Sequence, residues 1–122
     1  MKVSGFLIDE NLPPVIAVQL RRREPQIKVL AVGQPEAPPK GTPDPQLLCW
    51  LEEKDYLLIT NNRISMPGHL YEHLAVGRHV PGVLVTPFPL NIGTLIEELL
   101  LIWGANLPKE YQDQIIYLPV SK

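Results

Sequence analysis

Apolar residues in this chain come in short blocks separated by sharp polar or proline-rich breaks, and the blocks switch period from one to the next. Val3 to Ile8 is an apolar run that stops at Asp9-Glu10-Asn11, the pattern of a parallel strand buried on both faces. Asn11 is placed to cap a helix whose early positions hold Pro13 and Pro14, where a missing amide donor costs little. That helix carries Leu12, Ile16 and Leu20 on one face, ends in Arg21-Arg22-Arg23 and is closed by Pro25. Ile27 to Val32 reads as a second strand, interrupted only by Lys28.

Gly33 to Pro45 holds five prolines and two glycines in thirteen residues, which no helix or central strand tolerates, so an exposed loop over the sheet edge is expected. Asp44 opens a helix with Leu47, Leu48 and Leu51 inward and Glu52, Glu53 and Lys54 outward. Tyr56 to Thr60 is a third strand, followed by Asn61-Asn62-Arg63. A third helix runs from about Ser65-Met66-Pro67 to Gly77. Pro81-Gly82 turns the chain into a fourth strand, Val83-Leu84-Val85. Asn91 caps the last long helix, with Ile92, Leu95, Ile96, Leu99, Leu100 and Trp103 at helical spacing and Gly104 as its stop. After Pro108 a polar turn leads to an edge strand over Ile115–Leu118. Strands alternating with helices predict a three-layer α/β/α domain, residues 1–122, built on a mostly parallel sheet of about five strands.

Composition adds bounds. With 122 residues, 45% apolar and 20% charged, one folded domain is expected. A net charge of −2 excludes a chain-wide basic surface, so any phosphate-binding face must be local. The single cysteine, Cys49, rules out an internal disulfide and fits a reducing cytoplasm. No apolar run reaches the roughly 18 residues needed to cross a membrane, and the amino terminus does not read as a signal peptide.

In open α/β sheets, ligands gather beyond the carboxyl ends of the strands. Asp9 and Glu10 follow the first strand, Asn61 and Asn62 the third, and Asp44 opens the helix between, so one sheet edge is expected to collect them. Such a set offers oxygen ligands: carboxylates from Asp9 and Asp44 and an amide carbonyl from Asn62. Hard dications such as Mg²⁺ or Mn²⁺ prefer oxygen and keep several waters. Helix-start acids also serve simply as caps.

The order of these pieces resembles a PIN-like family of small bacterial proteins. The resemblance rests on Phe6-Leu7-Ile8-Asp9-Glu10-Asn11-Leu12-Pro13, Asp44 opening a helix, and Leu57-Leu58-Ile59-Thr60-Asn61-Asn62. Ser65-Met66-Pro67, Val80-Pro81-Gly82-Val83, the Ile92-to-Leu101 segment and Ile116-Tyr117-Leu118-Pro119 extend it over nearly the whole chain. The family is similar to PIN nucleases, metal-dependent ribonucleases that often act as toxins paired with antitoxin proteins. The resemblance implies a PIN-like fold, RNA as substrate, an antitoxin-like protein partner, and Mg²⁺ or Mn²⁺ held by Asp9 and Asp44. It also implies support from Glu10, Asn11 and Thr60. The chain departs from the pattern at Asn62, where the family has a third acid, and at Ile64, where some members have a fourth. An amide removes one negative charge and cannot act as a general base. Two readings follow: a ribonuclease with a weakened acidic site at Asp9, Asp44 and Asn62, or a catalytically degenerate module that binds a protein or nucleic acid. A phosphoacceptor domain ranks last, because Asn61 and Asn62 stand where its acceptor Asp is needed.

Other groups read more plainly. Arg63 follows the site and is placed to pair with Asp9 or Asp44 or to hold a phosphate. His69 and His73, four apart on a helix, read as solvent-facing, and Cys49 as a buried thiol. Arg21, Arg22 and Arg23 suit a helix carboxyl end. The helix over 92–103 is apolar on more than one face, which predicts that either a second copy of the chain or the terminal segment Ile115 to Leu118 packs against it.

Overall fold

The computed structural model describes residues 2–105 and 108–119. Five strands, β1 (Gly5–Ile8), β2 (Lys28–Ala31), β3 (Tyr56–Thr60), β4 (Val83–Val85) and β5 (Ile115–Tyr117), form one sheet in the order β2-β1-β3-β4-β5. Every pairing is parallel, so the expected α/β layering is present and the parallel character is complete. The helices are α1 (Val15–Arg23), α2 (Asp44–Lys54), α3 (Met66–Ala75), α4 (Ile92–Ala105) and the single turn α5 (Pro108–Tyr111), which stands where only a polar turn was expected.

Two apolar clusters lie on opposite faces of the sheet, and strand alternation feeds both. Phe6, Ile8, Leu57, Ile59 and Leu84 point into one, where Ile16, Ala17 and Leu20 of α1 meet Leu95, Ile96, Leu99 and Ile102 of α4. Leu7, Leu58, Val83 and Val85 point into the other, against Leu47, Leu48 and Leu51 of α2 and Met66 and Leu70 of α3.

The placement of α4 departs from the usual handedness. The steps β3→β4 and β4→β5 go the same way across the sheet, yet α3 lies on one face and α4 on the other. Those two connections therefore have opposite hands. The steps β1→β2, β2→β3 and β3→β4 agree with one another, so β4→β5 is the exception to a rule that right-handed crossovers obey in about 98% of cases. Coverage supplies the reason. Strands lie about 4.8 Å apart and a helix is about 10 Å wide, so nine-residue α1 alone leaves most of its face open. Fourteen-residue α4 fills that space, with Trp103 edge-on to Phe6 at 5.7 Å between ring centroids. The segment from Thr86 to Asn91 leads from the carboxyl end of β4 to the face that holds α4.

Several boundaries differ from expectation. The first helix begins at Val15 with Pro14 at its cap position, while Asn11 is exposed in a turn closed by the Leu12 N–H on the Asp9 carbonyl at 3.1 Å. Asn91 does cap α4, its Oδ1 accepting the Thr94 N–H at 2.9 Å, but the helix runs past Gly104 to Ala105. The apolar excess of α4 is absorbed within the chain: its inward stripe is buried, Trp103 and Leu100 pack against the same core, and Leu101 stands out at 72% exposed. Leu101 is the large apolar side chain of α4 left exposed for any second copy to cover.

His73 does not face solvent, and His69 is half-buried. Their spacing puts both on the side of α3 that meets α2, where His73 is buried against Glu52 at 3.2 Å and the His79 carbonyl at 3.1 Å. Burial would raise the Glu52 carboxyl, but the Arg78 hydrogen bond, the His79 N–H and the charges of Arg78 and His73 outweigh it and hold the group low. Cys49 is half-buried rather than buried, with the Arg78 guanidinium donating to its Sγ at 2.9 Å. Of the three arginines closing α1, Arg21 donates to the Val29 carbonyl at 2.6 Å and Arg23 pairs with Glu97 at 2.8 Å.

Candidate functional site

The sheet reverses direction between β1 and β3: the chain leaves β1 toward β2 and leaves β3 toward β4. At such a switch point the loops diverge and open a crevice at the carboxyl ends. Asp9 is the first residue beyond β1, and its backbone N–H bonds the Ile59 carbonyl at 2.9 Å, fixing it beside β3. The Thr60 hydroxyl, fully buried at the end of β3, donates to Asp9 Oδ2 at 2.7 Å, and the Glu10 N–H donates to Oδ1 at 2.7 Å. Thr60 Oγ1 also accepts the Asn62 N–H at 3.1 Å, a local turn that aims the Asn62 side chain back across the cleft.

Asp44 reaches the same place from the other side. It is the first residue of α2, set between Pro43 and Pro45, whose fixed φ angles define the helix start. The proline-rich loop before it is tied down by Glu10, whose Oε1 accepts the Gly41 N–H at 2.7 Å. Glu10 therefore holds the loop that delivers Asp44. Between the two walls lies a cleft of about 220 Å³ lined by Asp9, Glu10, Asn11, Thr42, Asp44 and Asn62.

Asn62 donates from Nδ2 to Asp44 Oδ2 at 3.0 Å and to Ser65 Oγ at 2.9 Å. Its Oδ1 accepts from the Ser65 N–H at 3.1 Å. A backbone N–H can only donate, so this contact fixes which end of the amide faces which partner. The oxygen is turned to Ser65, and the donor end is turned to Asp44. His69 Nε2 lies 3.7 Å from the same Asp44 oxygen. This imidazole and Ser65 were not among the residues read as the site. The clue was the four-residue histidine spacing, which aligns His69 with the start of α2 and His73 with its end.

Partial burial raises the Asp44 carboxyl above the ordinary aspartate range, and the Asp9 charge raises it further, against a lowering pull from His69 and from the Asn62 hydrogen bond. The Asp9 contribution shows that the Asp44 carboxyl lies within the field of Asp9. An acid whose folded-state value is raised binds extra protons in the native state, so stability falls as pH rises from about 3.9 through that raised value. Asp44→Asn removes this term. The variant is expected to gain on the native chain across that range, by under about 1 kcal/mol because the group is only partly shielded from water. Thermal melts of both chains at stepped pH check it; a constant difference would show that Asp44 carries no such strain.

Arg63 does not join the carboxylates. Its guanidinium donates to the Thr86 carbonyl at 2.8 Å and lies over the Tyr117 ring, 5.7 Å from its centroid. Asn61 points to the same side. Among the described residues no three His, Cys, Asp or Glu side chains converge as a metal-binding group, so the oxygen set is two carboxylates with neighbouring polar atoms. That set suits a hydrated hard dication that keeps most of its own waters, and it does not suit a dehydrated one.

No helix among the described residues is long and apolar enough to cross a membrane. No family model, curated protein or solved structure matches the chain.

Proposed function

We propose that this is a PIN-like domain acting as a Mg²⁺- or Mn²⁺-dependent ribonuclease of the toxin type, with an acidic site reduced to Asp9 and Asp44. The observation that supports it is the pair of carboxylates lining one open cleft at the switch point, with the Asp9 charge acting on Asp44. A bound dication would relieve that repulsion, activate a water and neutralise phosphate oxygens. Asp9 is held for this by Thr60, and Asp44 by the Glu10-anchored loop. An antitoxin-like protein covering the cleft and a cytoplasmic setting belong to the same reading.

The test is Mn²⁺ titration by calorimetry together with cleavage of single-stranded RNA. Asp9→Asn is expected to abolish measurable binding and to lower cleavage by about 100-fold or more, since one of two charged ligands is lost. Native protein that neither binds Mn²⁺ nor cuts RNA removes this reading. A second reading is then favoured by the Asn62–Asp44 hydrogen bond: a catalytically degenerate PIN-like module in which the amide stands in for the cation and the cleft only binds.

A further inference from the structure

A second cleft of about 330 Å³ opens at the same sheet edge, lined by Leu12, Asn61, Arg63, Thr86, Phe88 and Leu90 among others. From it we infer that Phe88 and Arg63 form a stacking platform for the bases of single-stranded RNA, feeding the strand's backbone toward the carboxylate cleft. The inference rests on the RNA-directed reading above for its choice of ligand, and it adds the surface by which that ligand is held.

Phe88 is 90% exposed in the segment that joins β4 to α4. A phenyl ring left in water gains nothing from folding. Beside it Arg63 makes one backbone hydrogen bond and a face contact with half-exposed Tyr117, and no carboxylate lies within ion-pair distance among the described residues. An unneutralised planar cation next to exposed aromatic rings is the combination that stacks nucleobases and attracts phosphate. The lining is largely apolar, from Leu12, Pro87, Phe88, Pro89 and Leu90, with Asn61, Arg63 and Thr86 as its polar members, so flat base faces meet apolar surface while Arg63 meets the charged backbone.

The two clefts share a wall. Asn11 and Asn62 line the carboxylate cleft, while Leu12 and Asn61, their immediate neighbours, line the second. The two clefts therefore adjoin along Asn11–Leu12 and Asn61–Asn62, and a strand stacked in the second lies beside the first. In a chain of net charge −2, binding by stacking with one cationic contact should depend weakly on salt, with a slope near −0.7 per phosphate neutralised.

The experiment is fluorescence polarisation with labelled single-stranded RNA of about eight nucleotides, in EDTA so that no dication contributes. Native protein is expected to bind it and to prefer it to the same sequence as a duplex. Phe88→Ala is expected to weaken binding about tenfold with an unchanged melting temperature, and Arg63→Lys to weaken it and leave the salt slope intact, because the charge stays and the plane is lost. Equal affinity of native and Phe88→Ala protein, equal affinity for duplex, or no binding in EDTA overturns the platform. Loss of this effect with Mn²⁺-dependent cleavage intact refutes the platform alone. Binding in EDTA without any cleavage by native protein refutes the ribonuclease reading alone.

Discussion

Asn62→Asp is expected to melt about 10 °C below the native chain in EDTA and to recover most of that loss in saturating Mn²⁺. The substitution puts a carboxylate where an amide donor now lies 3.0 Å from Asp44 Oδ2, in a cleft already holding Asp9. Two unit charges about 4 Å apart interact by about 4 kcal/mol at the effective dielectric of a protein surface, and the favourable amide contact disappears as well. Protonation of the pair relieves part of this, so a net loss of about 2–3 kcal/mol is expected, shrinking in mild acid. At a Mn²⁺ concentration of about 100 times its dissociation constant, binding returns about 2.7 kcal/mol. A variant that is neither destabilised in EDTA nor rescued by Mn²⁺ would show that these three positions do not share one ion's reach. The native chain's own response separates the two functional readings. A ribonuclease must shift its melting temperature with Mn²⁺, whereas a degenerate module acquires that shift only with the new carboxylate.

The layering was legible because each strand is short, apolar and cut off by a charged or proline-rich break, so the five blocks had no competing assignment. Tyr56 to Thr60 and Val83 to Val85 form strands over the residues expected. What sequence periodicity could not carry was which face a helix covers. The stripe of α4 identifies its inward side, but only the width of the sheet and the brevity of α1 decide that it crosses to join α1. The expected second subunit arose from that gap: a helix with apolar residues all round looks unpartnered until two neighbours within the chain are counted.

The candidate site was legible to a similar depth. Asp9, Glu10, Asn11, Asp44 and Asn62 do line one cleft. Hidden from the sequence was the direction of each polar end. Asn62 as a carbonyl ligand and Asn62 as a donor to Asp44 are the same letter, and Ser65 decides between them. Arg63, next in sequence, looks toward β4 and β5 because residues beyond a strand alternate sides, as strand residues do. His69 reached the site through the packing of α3 on α2, a contact between elements with no local signature.

Gly5→Ala is the substitution expected to cost the most stability, about 3 kcal/mol, although it adds a single methyl group. Gly5 sits in β1, the strand flanked by β2 and β3, and pairs with Lys28 on one side and Tyr56 on the other. A Cβ at this position would land on the backbone carbonyl of Lys28. Overpacking against side chains costs about 1–3 kcal/mol because they can rotate away, but here the obstacle is ladder backbone. The strands must part, and the displacement runs toward Asp9, four residues along. Total stabilities of domains lie near 5–15 kcal/mol, so this change removes a large share. Gly68→Ala provides the contrast: a methyl group there meets open space on an exposed turn of α3 and is expected to stabilise by about 0.5–1 kcal/mol. Urea denaturation of both variants measures the two effects as opposite shifts in midpoint. A Gly5→Ala midpoint equal to that of the native chain would mean that β1 and β2 do not pair in this register, and Asp9 would lose the strand that places it.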